Sequence, residues 1–337
     1  MRSRQPSSGF SALDLSRREW LQGGAAAGLM LASPMLSAAQ PPAPRGIPRE
    51  QPKTAPAPMG EWVDAHSHIW TREVERFPLA KGQTVADLKP ASFTAEECLV
   101  LAASEGVGRV VLIQHHIYHG WDNGYLIDAA KRYPDRFRVV GMIDDTQPHP
   151  DKKLRELLSS HVTALRITSL IRGADQWLSG PGMAALWKTA AETRQAMCCL
   201  INPQDLPAVD RMCSTHPDTP VVIDHFARIG MDGEIRETDL KNLCGLAKHR
   251  HTYVKLSAYY ALGKKQAPYQ DMLPMIRRLV EAFGPQRLMW ASDCPYQVQG
   301  THTYRDSIAL LRDHASFLSA DDKQWLLKKT AEKVYFL

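Results

Sequence analysis

Short apolar segments alternate with longer segments of helical periodicity along residues 61–337. The apolar segments are rich in β-branched residues and have few polar interruptions, which is typical of parallel strands that are covered on both faces. The predicted strands are 62–65, 109–113, 137–143, 163–167, 197–201, 220–224, 252–256 and 287–291. Between them, apolar residues recur every three or four positions, which indicates helices. The predicted helices are 94–106, 123–133, 150–159, 182–194, 206–216, 239–248, 269–283, 304–318 and 320–335.

Eight strand–helix units in about 270 residues predict an α/β fold, specifically a (β/α)8 TIM barrel. Thr94 and Glu97 have the spacing of a capping box, which supports a helix that begins there. A doubly wound open sheet is the alternative. No Gly-x-Gly-x-x-Gly segment follows the first strand, so a dinucleotide-binding fold is disfavoured.

The first 60 residues differ in character from the rest of the chain. Residues 16–22 (SRREWLQ) resemble a twin-arginine export signal, residues 23–36 are weakly apolar, and residues 37–39 (SAA) are small. This order predicts a cleavable signal peptide at 1–39, followed by a Pro-rich linker at 40–60 and the barrel domain at 61–337. We therefore expect the twin-arginine machinery to export the protein to the periplasm. A disordered basic tail is the alternative.

Charge is concentrated in the same N-terminal region. The chain has 41 Lys and Arg against 36 Asp and Glu, and the first 60 residues hold seven of the former and three of the latter. The remaining 34 basic and 33 acidic residues leave a nearly neutral body, which argues against nucleic-acid binding. No uninterrupted run of 18 apolar residues exists, so no stable membrane anchor is expected. The sequence does not determine the oligomeric state.

All six cysteines lie in the body, and none forms a CxxC pair. A structural zinc site and a disulfide framework are therefore both disfavoured. Most of these cysteines are expected to be buried as small hydrophobic residues.

Polar side chains follow every predicted strand, and in a TIM barrel the chemistry lies at the carboxyl ends of the strands. In chain order they are Asp64, His66 and His68; Gln114 and His115; Asp144 and Asp145; Arg166 and Arg172; Asn202; Asp224, His225 and Arg228; Lys255 and Tyr259; and Asp293. A single polar strand end is often satisfied by backbone hydrogen bonds. Polar groups at all eight ends indicate a functional site.

His66 and His68 form the sharpest pair among these residues. A spacing of two on a strand directs both imidazoles to one face, where they can bind one divalent ion or one anionic substrate. His-x-His alone also occurs by chance, but His225 and Asp293 on later strands strengthen the interpretation. A carboxylate beside imidazoles can bind a metal or accept a proton from water. The alternative for Asp293 is a helix N-cap.

Three segments, VDAHSHIW, VIDHFAR and LMWASDCPY, occur in this order at the predicted strand ends. In them the chain resembles the amidohydrolase superfamily, and within it the amidohydrolase-related branch that contains 2-pyrone-4,6-dicarboxylate lactonase and sugar-acid lactonases. The resemblance implies that Asp293 activates the attacking water. It also implies that His66, His68 and His225 are catalytic and, with Asp293, would surround any zinc-like ion.

The sequence departs from the metal-binding pattern of this family at two strands. Arg166 stands where many members have a carboxylated lysine or a glutamate, and Asn202 stands where they have a histidine. These departures exclude a binuclear centre and leave two alternatives, one divalent metal ion or metal-free catalysis. The resemblance to the pyrone-dicarboxylate subgroup implies that arginines bind substrate carboxylates, and Arg166, Arg172 and Arg228 match in position. The alternative for Arg166 is an ion pair with Asp144 or Asp145.

The remaining expected substrate-binding residues are Gln114, His115, Asn202 and Tyr259. The expected function is hydrolysis of a lactone of an acidic or sugar-derived small molecule. Two alternatives remain: a metal-dependent decarboxylase on the same scaffold, and a noncatalytic periplasmic binder of sugar acids.

Overall fold

A computed structural model describes residues 60–173 and 176–336. The predicted signal at 1–39 and residues 40–59 of the predicted linker lie outside the described residues. Eight strands are present, one at each predicted position. They are β1 (Trp62–Ser67), β2 (Val107–Ile113), β3 (Phe137–Gly141), β4 (Val162–Thr168), β5 (Ala196–Leu200), β6 (Val221–Ile223), β7 (Thr252–Leu256) and β8 (Leu288–Trp290).

The strands form one sheet in sequential order, and every neighbouring pair is parallel. β1 and the segment after β8 also meet, because Ser67 and Cys294 form a parallel bridge. The His68 amide donates to the Cys294 carbonyl at 2.7 Å, and the Asp293 amide donates to the His66 carbonyl at 2.8 Å. The sheet is therefore a nearly closed barrel, which confirms the predicted (β/α)8 architecture and excludes the open-sheet alternative for the described residues.

Helices connect the strands. They are α1 (Ala95–Ala103), α2 (His116–His119), α3 (Gly124–Arg132), α4 (Pro150–Leu158), α5 (Ser169–Arg172), α6 (Pro181–Thr193), α7 (Leu206–Thr215), α8 (Glu237–Gly245), α9 (Leu273–Phe283), α10 (Tyr304–Ala309), α11 (Ala320–Gln324) and α12 (Thr330–Tyr335). The predicted capping box of α1 is confirmed, since the Glu97 amide donates to Thr94 Oγ1 at 3.2 Å and the Thr94 amide donates to the Glu97 carboxylate at 2.6 Å.

The last two predicted helices are not continuous. A π-helical turn, Leu310–His314, follows α10, and a second one, Trp325–Lys329, separates α11 from α12. A π turn contains more residues than an α turn, so it changes which side chains face the core. Leu327, within the second π turn, and Tyr335, in α12, are both fully buried.

Side chains on the strands alternate between two packed layers. On β4, Leu165 and Ile167 belong to the cluster between the sheet and the helices, whereas Ala164 belongs to the cluster inside the barrel. Tyr335 closes the lower part of this interior, and its hydroxyl lies 3.4 Å from the Cys198 sulfur. The functional side chains therefore lie above a filled interior.

All six cysteines are free thiols, and five of them are buried. This confirms the expectation that most cysteines pack as small hydrophobic residues. Among the described residues, no helix is long and apolar enough to cross a membrane.

Candidate active site

Three imidazoles converge on one carboxylate oxygen at the carboxyl ends of β1, β6 and β8. Asp293 Oδ1 lies 3.3 Å from His66 Nε2, 3.4 Å from His68 Nε2 and 3.8 Å from His225 Nε2. The two nitrogens of the His66–His68 pair are 3.3 Å apart, so the His-x-His spacing directs both rings to the same point. All four side chains are buried. The predicted catalytic residues therefore meet in one cluster, which the sequence could not place in space.

The backbone that carries this cluster is strained in two segments, one after β6 and one after β8. His225, Phe226, Ala227 and Arg228 all have φ between 51° and 59°, and Asp293 has φ of 65°. Residues with a Cβ rarely adopt this left-handed region, and consecutive ones are rarer still. Strain of this kind persists where the surrounding structure holds a functional side chain in place. Asp293 is therefore positioned by a strained turn, and the N-cap of the helical turn that follows is Pro295 rather than Asp293.

Burial and mutual contact shift the pKa values of several groups in the cluster. Burial by itself would raise the pKa of Asp293, but His225 and the other two imidazoles outweigh it and lower that pKa below its ordinary value. Burial lowers the pKa of His225 to about 4. Burial also lowers the pKa of His66, and the nearby Lys255 lowers it further.

Hydrogen bonds orient two of the imidazoles. His68 Nδ1 lies 2.9 Å from the Ile113 carbonyl, which can only accept, so Nδ1 carries the proton and Nε2 presents a lone pair to Asp293. His225 Nδ1 lies 2.8 Å from the Ser257 hydroxyl. These contacts hold the Nε2 atoms toward the centre of the cluster, as partners of the second nitrogen do in metal sites.

Tyr260 is a site residue that sequence reasoning missed. Its hydroxyl donates to Asp293 Oδ2 at 2.7 Å. Burial, together with the adjacent Asp293, raises the pKa of Tyr260 well above its ordinary value, so the hydroxyl stays protonated as a donor. The predicted Tyr259 is instead fully buried in the core, and its hydroxyl donates to the Leu256 carbonyl at 3.0 Å. The turn after β7 therefore directs Tyr260, and not the predicted Tyr259, to the cluster.

Lys255 and Asp224 form a fully buried ion pair beneath the imidazoles. Lys255 Nζ lies 3.0 Å from Asp224 Oδ1 and 3.3 Å from His66 Nδ1. Burial by itself would raise the pKa of Asp224, but Lys255, followed by His66 and Arg166, lowers it well below the ordinary range. Sequence reasoning assigned no role to Lys255, although a lysine within the apolar run TYVKL is the signal that could have revealed it.

The cluster fits a single divalent ion of the zinc type. His225 Nε2 and Asp293 Oδ1 are buried and lack a hydrogen-bond partner among the described residues. One ligand atom each from His66, His225 and Asp293 lies within 4.8 Å of the other two. Tetrahedral zinc with ligands at about 2.1 Å separates those ligands by roughly 3.4 Å, close to the observed distances from Asp293 Oδ1 to His66 and His68.

The three predicted substrate-binding arginines have different partners in the structure. Arg166 is buried, and its Nε lies 3.6 Å from Asp224 Oδ2 rather than beside Asp144 or Asp145. The alternative ion pair proposed for Arg166 is therefore wrong in its partner. Arg172 takes that place, with Nη2 2.9 Å from Asp145 Oδ2.

Two further predicted binding residues contact each other. Arg228 Nη1 donates to Asn202 Oδ1 at 3.0 Å, and Arg228 Nη2 lies 2.8 Å from the Met231 sulfur. Asn202 therefore positions the guanidinium of Arg228, which is itself mostly buried.

The residues after β2 also divide between two roles. Gln114 is fully buried, and its amide donates to the carbonyls of Gly120 and Asp122, so it braces the loop that follows. His115 is closer to the cluster, since its ring lies 5.0 Å from that of His68. The Tyr118 amide donates to His115 Nδ1, which leaves Nε2 to donate to the Tyr296 hydroxyl at 2.6 Å.

Comparisons with known proteins agree with this arrangement. A family model described as amidohydrolase matches residues 63–337. A 4-sulfomuconolactone hydrolase of Rhizobium radiobacter is 29% identical over 74% of this chain and 80% of its own. An L-fucono-1,5-lactonase of Burkholderia ambifaria is 27% identical over 69% of this chain and 80% of its own.

One similar solved structure is an amidohydrolase from Burkholderia multivorans. With bound HEPES it superimposes with a TM-score of 0.68 at 22% identity, covering 82% of this chain and 99% of that chain. A second crystal form with bound zinc gives a TM-score of 0.66 at 21% identity with the same coverage. At this identity the likeness shows the shared fold.

Proposed function

The chain belongs to the amidohydrolase family, and from this premise we propose that it is a hydrolase that opens a lactone of an acidic small molecule. The two relatives named above are both lactone hydrolases by name. The observation that carries the proposal is the buried Asp293 Oδ1, which faces three imidazoles and has no hydrogen-bond partner among the described residues. A noncatalytic binder has no need of such an oxygen.

In the proposed mechanism Asp293 is the general base. Its Oδ1 accepts a proton from water while the water oxygen attacks the lactone carbonyl carbon. Tyr260 holds the other carboxylate oxygen, so Oδ1 keeps its direction. His66 Nε2 can donate to the oxyanion that develops, because its Nδ1 accepts from the Lys255 ammonium group. When the ring C–O bond breaks, Asp293 returns its proton to the leaving oxygen, and the product is a hydroxy acid.

We further propose that His66, His225 and Asp293, with His68 beside them, hold one divalent ion. Such an ion lowers the pKa of bound water and polarises a carbonyl when it is present. The Lys255–Asp224 pair supports this role, since both side chains contact Nδ1 of His66 and so hold its Nε2 toward the centre of the cluster.

Arg166 is the proposed partner of the substrate carboxylate. Its guanidinium is buried beside the cluster, and its Nε lacks a hydrogen-bond partner among the described residues. Arginine pairs with carboxylates through two parallel hydrogen bonds, which orients as well as attracts them. Arg172 is already paired with Asp145, so it contributes less.

The test is Asp293→Asn, assayed against a panel of lactones by acid release in a pH-stat. Loss of the general base is expected to lower kcat by about 100- to 10,000-fold. Asp210→Asn is the matched control, because this half-exposed residue pairs with Lys248 and His249 away from the cluster. Thermal melts of both variants report whether the fold is retained. Near-normal turnover by a folded Asp293→Asn variant would overturn the assignment.

Metal analysis of the purified protein tests the ion separately. We expect roughly one divalent ion per chain, as in mononuclear hydrolytic sites, and its loss from His225→Ala. Metal-free protein with full lactonase activity would contradict the ion and leave Asp293 as the base. Release of carbon dioxide from a carboxylated substrate, without lactone opening, would instead favour the decarboxylase alternative.

A further inference from the structure

A cavity lies beside the cluster, between the carboxyl ends of β3 and β4. Its volume is about 240 Å³, and Arg166 lines its wall. Because Arg166 Nε also lies 3.6 Å from Asp224 Oδ2, the cavity adjoins the cluster. This position is appropriate for the part of a substrate that does not react.

The walls of the cavity are mainly apolar. The apolar lining includes Trp121, Met142, Ile143, Ile171, Trp177 and Met183. Trp121 is 38% exposed, so apolar surface is present at the rim of the cavity. Two indole rings and two thioethers favour a flat or flexible hydrophobic group.

The polar groups that remain available in this cavity are donors. Trp177 Nε1 is buried and lacks a hydrogen-bond partner among the described residues, and the Arg166 side chain, whose Nε faces Asp224, lines the same cavity. A buried donor without an acceptor is costly, and a ligand that supplies an acceptor removes that cost. Both donors therefore favour an acceptor such as a carboxylate oxygen.

The acidic groups of the cavity are already committed to other partners. Asp144 Oδ1 accepts from the amide and the hydroxyl of Thr146, at 3.0 and 2.6 Å, and its Oδ2 accepts from Gln147. Asp145 is paired with Arg172. These partners leave fewer acceptor positions for the hydroxyl groups of a polyhydroxylated sugar, which would also face the apolar part of the wall.

We infer that the cavity binds an apolar, preferably aromatic, substituent of the substrate, with one carboxylate directed to Arg166. This inference rests on the proposed lactonase function and names the substrate class. The preferred substrates are lactones that carry one carboxylate and one hydrophobic group, rather than sugar lactones or lactones of two carboxylates. Arg166 shares Asp224 with Lys255, and Arg172 is paired with Asp145, so this wall of the cavity offers net positive charge for one carboxylate.

A panel of four lactones tests the class. Phenylparaconic acid carries one carboxylate and a phenyl ring on a γ-lactone, and paraconic acid lacks the ring. Isocitric lactone carries two carboxylates, and glucono-1,5-lactone carries only hydroxyls. We expect kcat/KM for phenylparaconate to exceed that for paraconate by about 10-fold or more, because filling a hydrophobic pocket gives discrimination of that order. Preferred turnover of isocitric lactone or gluconolactone would overturn the inference and leave the lactonase function standing.

Substitutions in the cavity wall connect the preference to this site. Ile171→Thr removes the terminal methyl group and adds a hydroxyl to the wall, and it is expected to lower kcat/KM for phenylparaconate about 10-fold while changing that for paraconate less. Val100→Thr is the matched control, since Val100 is 75% exposed and outside the cavity. Trp121→Ala, at the exposed rim, is a second variant with little risk to folding. Equal effects of both cavity variants on the two substrates would contradict the inference.

Direct binding separates this inference from the proposed function. If none of the four lactones is hydrolysed, the lactonase proposal fails, and calorimetric titration with 4-phenylbutyrate, butyrate and gluconate still tests the cavity. We expect 4-phenylbutyrate to bind at least 10-fold more tightly than butyrate or gluconate, and Ile171→Thr to weaken it. If gluconate binds as tightly as 4-phenylbutyrate, the inference that the cavity prefers an apolar substituent is wrong.

Discussion

Lys255→Met removes one charge from a pair in which both side chains are completely buried. Methionine has nearly the same length as lysine, so the change leaves little empty space and mainly deletes the ammonium group. Asp224 would then keep only Arg166, whose Nε is 3.6 Å from Oδ2, and the neutral ring of His66. A buried carboxylate with incomplete compensation destabilises the folded state.

The expected magnitude follows from the observed distance of 3.0 Å between Lys255 Nζ and Asp224 Oδ1. At an effective dielectric constant near 20, two unit charges at that distance attract each other by about 5.5 kcal/mol. Removal of one partner of a buried pair generally costs about 3–5 kcal/mol. We therefore expect Lys255→Met to lower the free energy of unfolding by about 3–5 kcal/mol.

A double-mutant cycle isolates this interaction from the packing change. Urea denaturation followed by circular dichroism and by tryptophan fluorescence gives the free energy of unfolding for the wild type, Lys255→Met, Asp224→Asn and the double variant. Agreement of the two probes is the control for two-state behaviour. The double variant should recover about 2 kcal/mol or more relative to the sum of the two single changes. Strict additivity would refute the view that these residues act as one ion pair.

Three further predictions concern the site, the thiols and the leader. Tyr260→Phe should lower kcat about 10-fold or more, because it removes a hydrogen bond to the charged oxygen of the proposed base. The control Tyr259→Phe removes a hydroxyl that only donates to a backbone carbonyl, and an equal loss from both would contradict the role of Tyr260. A thiol reagent at pH 8 should modify at most one of the six cysteines in the folded protein, the half-buried Cys244. The other five thiols are buried, and burial raises their pKa above the ordinary value. Prompt reaction of two or more cysteines would be inconsistent with the buried positions. Replacing both leader arginines by lysine, Arg17→Lys with Arg18→Lys, should retain the protein in the cytoplasm while the parent chain reaches the periplasmic fraction, and unchanged export would exclude the twin-arginine route.

Local patterns were sufficient for most of the fold. Each predicted strand corresponds to an observed one within a few residues, because a strand that is covered on both faces must be apolar along its whole length. The capping box at Thr94 could also be predicted from the sequence, since its two hydrogen bonds join residues three positions apart. The last two helices were predicted as continuous because a π turn leaves no clear signal in the apolar spacing.

The candidate site could also be predicted from the sequence only in part. The sequence by itself determined which residue types end each strand, so His66, His68, His225 and Asp293 could be named before any geometry was known. Only the tertiary structure decided that their nitrogens meet at Asp293 Oδ1, because that meeting depends on barrel closure between strands more than 200 residues apart.

Partner choice among the charged residues likewise required the folded chain. Arg166 faces Asp224 while Arg172 faces Asp145, and Tyr260 rather than Tyr259 reaches the cluster. In each case two candidates of the same chemistry lie a few residues apart, so their local patterns are alike. The direction of each side chain depends on the turn that carries it and on what the rest of the barrel packs against that turn. Sequence therefore determined the chemistry that is available at the barrel mouth, and tertiary packing decided which of those groups act together.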